Sequence, residues 1–126
     1  MKKFVFTALA IALSFGTITA STSLDAPVKT IVKYDNVSTF CKLIRAGNFE
    51  AVKAMVENGT DINRKSTGLT PLMFAARYNK TDIVKLLIDK GAKLKVKSDN
   101  GFTALEYAKM SKAHESYKVI ANALEK

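Results

Sequence analysis

Two kinds of apolar pattern run along this chain. From Phe4 to Leu13 the residues are apolar without a break except at Thr7. From Ser38 onward, apolar residues return every three or four positions, the spacing of helices that bury one face. Ile83, Val84, Leu87 and Ile88 make one such stripe, and Tyr117, Ile120, Ala121 and Leu124 make another. Residues 21–35, STSLDAPVKTIVKYD, lie between the two regimes with one proline and no helical period. They read as a leader into the domain, in which Thr30 to Tyr34 suit a brief strand or a packed extension.

Comparing the periodic region with itself is the most informative step. Ser38 to Gly59 aligns with Thr70 to Gly91 at an offset of 32, placing Phe40 on Leu72, Val52 on Val84, and Met55 and Val56 on Leu87 and Ile88. Gly101 to Leu105 (GFTAL) aligns with Gly68 to Leu72 (GLTPL) at an offset of 33, which continues with Ala108 on Ala75 and Ile120 on Leu87. The extra residue falls in one connection, RKSTG against VKSDNG, because a surface loop absorbs a length change better than a helix does. Each unit has the same plan. In the second, Thr70 offers a capping hydroxyl and Pro71 occupies the first helical position, where its missing N–H costs nothing. Leu72, Ala75 and Ala76 follow at helical spacing, with alanines where a second helix must come close. Gly47 and Asn79 are turn residues that tolerate a left-handed backbone, and Gly91 ends the second helix. The expectation is an all-α chain of stacked helix–turn–helix units with turns projecting between them.

Gly68 to Lys95, GLTPLMFAARYNKTDIVKLLIDKGAKLK, resembles the ankyrin repeat along its whole length: the TPL opening, the paired alanines, the V-x-x-L-L-type helix and the closing Gly91-Ala92. Residues 36–67 and 96–126 resemble a first and a last repeat. The resemblance implies an ankyrin-repeat solenoid of about three stacked units (36–67, 68–95, 96–126) that binds protein surfaces without catalysing a reaction. There are departures. The histidine usual after TPL is replaced by Cys41, Met73 and Glu106, so its hydrogen bonding between repeats is not expected. Thr103-Ala104 stands for Thr-Pro in the last unit, and Lys112 takes the turn position. Polar Lys118, Asn122, Glu125 and Lys126 suit a terminal unit that faces water on its outer side.

In that family, partners are bound by loop tips and by the exposed positions of the first helices, on a concave face. Position by position, this implies Ser66, Thr67 and Leu69 at one tip and Asp99, Asn100 and Phe102 at the next, with Arg45, Arg77, Tyr78 and Met110 on the helices. Leu69 and Phe102 are equivalent residues and either join the binding surface or pack between neighbouring loops. Arg45 and Arg77 are also equivalent, 32 apart. An aromatic, an aliphatic, a tyrosine and two arginines on one surface have the composition of a binding hot spot.

Composition narrows the chemistry. With 48% hydrophobic and 25% charged residues, the chain of 126 is not wholly disordered. A single cysteine makes no intramolecular disulfide and no multi-cysteine metal site, and the free thiol of Cys41 is expected in the core. His114 has Met110 and Lys118 at the neighbouring helical positions, which are no set of metal ligands. Asp82, Glu106 and Glu115 do not pair for acid–base work, and there is no nucleophile elbow or phosphate loop. The reading is therefore non-enzymatic, with no cofactor and no metal.

The charge is +9, from 20 Lys and Arg against 11 Asp and Glu. Lys42, Arg45, Arg64, Lys65, Arg77, Lys97 and Lys109 fall around the expected concave side, where the charge serves either plain solubility or an acidic protein partner. No base-reading motif is present, so nucleic acid is not expected. The alternative is a charge-driven binder of anionic lipid or cell-envelope polymer. Lys2 and Lys3, the apolar run after them and the small residue Ala20 have the form of a signal peptide over residues 1–20. The run is well short of the roughly 20 residues that span a bilayer. The sequence thus predicts export, to a bacterial periplasm or the exterior, of a monomer or weak dimer with no transmembrane segment in the mature chain.

Overall fold

The computed structural model describes residues 36–126. The expected signal peptide and leader, 1–20 and 21–35, lie outside the described residues. Six helices follow one another in three pairs within them: α1 (Thr39–Ala46) with α2 (Phe49–Glu57), α3 (Pro71–Arg77) with α4 (Thr81–Asp89), and α5 (Ala104–Met110) with α6 (His114–Leu124). The first helices α1, α3 and α5 pack in one row and the second helices α2, α4 and α6 in another, each pair leaning on the next. This is the all-α solenoid expected from the repeat.

The repeat is visible in the hydrogen bonds. Every first helix ends with an N–H reaching back five residues: Asn48 to the Leu43 carbonyl at 3.0 Å, Lys80 to Ala75 at 2.8 Å and Ala113 to Ala108 at 2.8 Å. That closure needs a left-handed residue just before the donor, which Gly47, Asn79 and Lys112 supply with φ of 79°, 53° and 57°. The starts are equally regular. Ser38, Thr70 and Thr103 each accept from the backbone N–H three residues on, and Pro71 opens α3. The lost histidine is replaced twice by local bonding. Thr70 N–H donates to the Met73 sulfur at 3.3 Å, and Thr103 N–H donates to Glu106 Oε1 at 2.9 Å.

Ile44, Val52, Leu72, Val84, Leu87 and Ile120 are fully buried, together with Ala75, Ala76 and Ala108, where the rows approach most closely. Cys41 is buried as expected. Within the first unit Ser38 N–H donates to Ser66 Oγ at 2.7 Å, and polar links tie unit to unit: Lys93 N–H donates to Asn63 Oδ1 at 2.9 Å, and Ser116 Oγ to Asn79 Oδ1 at 2.9 Å. The last helix corrects the expected stripe. Val52 and Val84 are wholly buried, but their equivalent Tyr117 is 37% exposed, and the buried face of α6 is Ser116 and Ile120, continued by Ala113 just before the helix. The side of α6 carrying Tyr117 corresponds to the side of α4 covered by the third unit, and among the described residues no fourth unit covers it.

Candidate functional site

The connections between units are hairpin turns of unequal length. In the first, Ser66 N–H donates to the Leu69 carbonyl at 2.8 Å and Leu69 N–H returns to Ser66 at 3.1 Å. Two central residues, Thr67 and Gly68, have φ of 51° and 86°, the signs a type I′ turn requires. In the second, Ser98 N–H donates to the Phe102 carbonyl at 2.8 Å across three residues, with Gly101 at φ 89°. The one-residue difference between the repeat offsets is this difference in turn length. The turns also stack. A side chain on Gly68 would meet Asp99 Oδ2 at 2.8 Å, Asp99 N–H donates to the Gly68 carbonyl at 3.0 Å, and Lys65 pairs with Asp99 at 3.2 Å.

Beside the second turn lies a groove of about 380 Å³. Leu69 is buried at its base, and Arg77, Asn100, Phe102 and Met110 line it with Tyr107 and Ser111. Phe102 is held edge-on against Tyr107, with ring centroids 5.9 Å apart and planes at 73°. The buried Tyr107 hydroxyl donates to Ser98 Oγ at 2.8 Å, and Phe102 N–H donates to the same oxygen at 3.3 Å. This anchors the ring while leaving 38% of Phe102 and 53% of Met110 exposed. Arg77 lies 5.9 Å over the Tyr78 ring, a cation–π contact that keeps two exposed side chains together.

Five of the nominated residues, Leu69, Arg77, Asn100, Phe102 and Met110, therefore share one groove. Tyr78 is exposed beside it, through its contact with Arg77. Arg45 stands half-buried on α1 and does not line the groove. Thr67 is exposed at the first tip, with its hydroxyl turned back to the Ser66 carbonyl at 2.6 Å. Two of the nominated residues also hold the turns. Ser66 is buried, its hydroxyl capturing Ser38 N–H, and Asp99 serves to join the two turns. Tyr107 and Ser111 were not singled out. The repeat alignment held the signal for Tyr107, which falls on Phe74.

Burial pushes the Cys41 thiol above its ordinary value, and hydrogen bonds with the Ser38 and Ser66 side chains partly offset the rise. Glu106 is held below its ordinary value by the N–H and hydroxyl of Thr103. Among the described residues no group of His, Cys, Asp and Glu could hold a metal ion, and no helix is long and apolar enough to cross a membrane.

The family model of three ankyrin repeats matches residues 40–125. This chain belongs to the ankyrin-repeat family. It is 40% identical over 78 residues to Dauer abnormal formation protein 25 of Caenorhabditis elegans, covering 60% of this chain and 20% of that one. It is 31% identical over 104 residues to an ankyrin repeat protein of Rickettsia bellii, covering 79% of this chain and 14% of the other. The chain thus spans a fifth or less of these relatives. Among solved structures it resembles a chain in the complex of a predatory endopeptidase from Bdellovibrio bacteriovorus with an immunity protein, at a TM-score of 0.65 and 32% identity over 71% of this chain and 47% of that one. Ankyrin repeats mark a protein–protein interaction module, and the family is generally a non-catalytic one.

Proposed function

We propose that this chain is an exported ankyrin module that binds a partner protein in the groove between the second hairpin turn and helices α3 and α5. The observation that carries the reading is the convergence of Leu69, Arg77, Phe102 and Met110 on one wall-and-floor arrangement. Aromatic, methionine and arginine side chains are the types enriched in protein interfaces, and Tyr107 fixes the aromatic one in advance of binding. The likeness to the endopeptidase–immunity protein complex supports a partner class, a hydrolase that the module holds through its surface. Export rests on the Lys2-Lys3 start and the apolar run that follows.

The test uses residues 21–126 as bait in an envelope extract, with the captured protein identified by mass spectrometry. Phe102→Ala with Met110→Ala, and separately Arg77→Ala, should each weaken binding of the captured protein by about 30-fold or more, the mark of a hot spot. Helical circular dichroism should stay unchanged, while Lys118→Ala on the outer face of α6 leaves capture intact. Undiminished capture by the groove variants would assign recognition to another face. Capture abolished for wild type and variants alike between tens and hundreds of millimolar salt would favour the charge-driven alternative.

A further inference from the structure

A second, more open surface lies away from the groove. The segment after α4 alternates charged and aliphatic residues, Lys93-Leu94-Lys95-Val96, with the lysines exposed and the aliphatics half-buried. Leu94 and Val96 meet the end of α6 at Leu124, forming an open trough of about 690 Å³ whose rim carries Lys93, Lys95 and Lys126. No acidic side chain lines it.

The equivalent segment of the first unit is built differently. There Asp61 and Asn63 stand where Lys93 and Lys95 stand here. Asp61 accepts from Asn63 N–H at 2.9 Å, and Asn63 Oδ1 accepts from Lys93 N–H. Asp61 and Asn63 thus order their own turn and tie it to the second unit. Lys93 and Lys95 have no side-chain acceptor to do either, and they bring positive charge to the edge of an apolar surface. The two segments share a backbone plan and differ in sign.

We infer that this trough is a docking site for an acidic amphipathic helix of a partner protein. Two features select that occupant. The aliphatic base demands an apolar ridge, and leucine-type side chains at i, i+3 and i+4 supply one. The lysine rim demands carboxylates on both flanks of that ridge. The site does not depend on the groove of the proposed function and stands or falls separately from it.

The probe is a synthetic 18-residue helical peptide of Ala, Leu and Glu, with leucines along one stripe and glutamates on both sides. Its counterpart has lysine at every glutamate position. Binding is followed by methyl NMR shifts of Leu94, Val96 and Leu124 in the chain of residues 21–126. The acidic peptide should shift these methyls and bind at least about tenfold tighter than the basic one, since like charges oppose docking. Lys93→Glu with Lys95→Glu should reverse the preference, and both positions are exposed, so the fold persists. Shifts confined to the Leu69 and Met110 methyls, equal binding of the two peptides, or an unchanged preference in the double variant would each overturn the assignment. So would shifts of the trough methyls with anionic phosphatidylglycerol vesicles and none with the acidic peptide.

Discussion

The second and third units share a backbone and differ in what their outer sides must meet. Met73, Ala76 and Val84 of the second unit are buried, whereas their equivalents Glu106, Lys109 and Tyr117 in the third are exposed. Both first helices still start at a threonine and end through a left-handed residue. Local conformation is thus written within each unit, while burial at these three positions comes from the neighbour stacked on it. The third unit has the side chains of an end. It still packs on the second through Ala108, Ile120 and the Ser116–Asn79 bond.

The largest expected effect separates the middle from the end. Leu87→Ala should cost about 2–5 kcal/mol, enough to unfold a small solenoid cooperatively in urea titration. Ile120→Ala deletes comparable buried volume, so its cost is similar, but the damage should stay local. Hydrogen exchange should then speed up across residues 98–126 and stay slow across α3. Equal loss of protection everywhere would show that the last unit is as integral as the middle one.

A smaller effect tests the turns. Lys112 sits at φ 57° with a Cβ that disfavours the left-handed region, so Lys112→Gly should stabilise by about 0.5–1 kcal/mol in the same titration. Asn79→Gly at the equivalent place should destabilise instead, because its side chain accepts from both the N–H and the hydroxyl of Ser116. Gains of the same sign at both sites would mean that the Asn79 link contributes nothing.

The smallest effect is a pH dependence. Because Glu106 titrates lower in the folded state than unfolded, its contribution is present above the unfolded value and lost as pH falls through the folded one. Glu106→Gln keeps a capping acceptor without a titrating group. The variant should therefore melt slightly below wild type near neutrality, show a shallower fall in Tm below about pH 4.5, and converge with wild type in acid.

The helices and turns were legible because each carries its own signal: the Thr-Pro start, the Gly47 and Asn79 turns, the aliphatic spacing of α4. Even the unequal turn lengths were present as two repeat offsets. Tyr117 was misplaced because hydrophobic spacing reports which residues can share a face, while packing by a neighbouring unit decides whether that face is covered, and among the described residues none covers it. Ser66 and Asp99 were nominated as tip residues, and the bonds that engage them, from Ser38 N–H and from the neighbouring turn, were not legible from either hairpin alone. The trough escaped notice because its walls, Leu94 and Leu124, are thirty residues apart and meet only through packing.

The enclosed thiol of Cys41 has a practical consequence. Seated beside the Ser38 and Ser66 hydroxyls, it is hidden from a modifying reagent until the first two units separate. Its labelling rate is therefore a clock for breathing at that seam, readable without introducing any reporter. A guest that clamps the stack would slow the clock, and one that pries it apart would make it run fast.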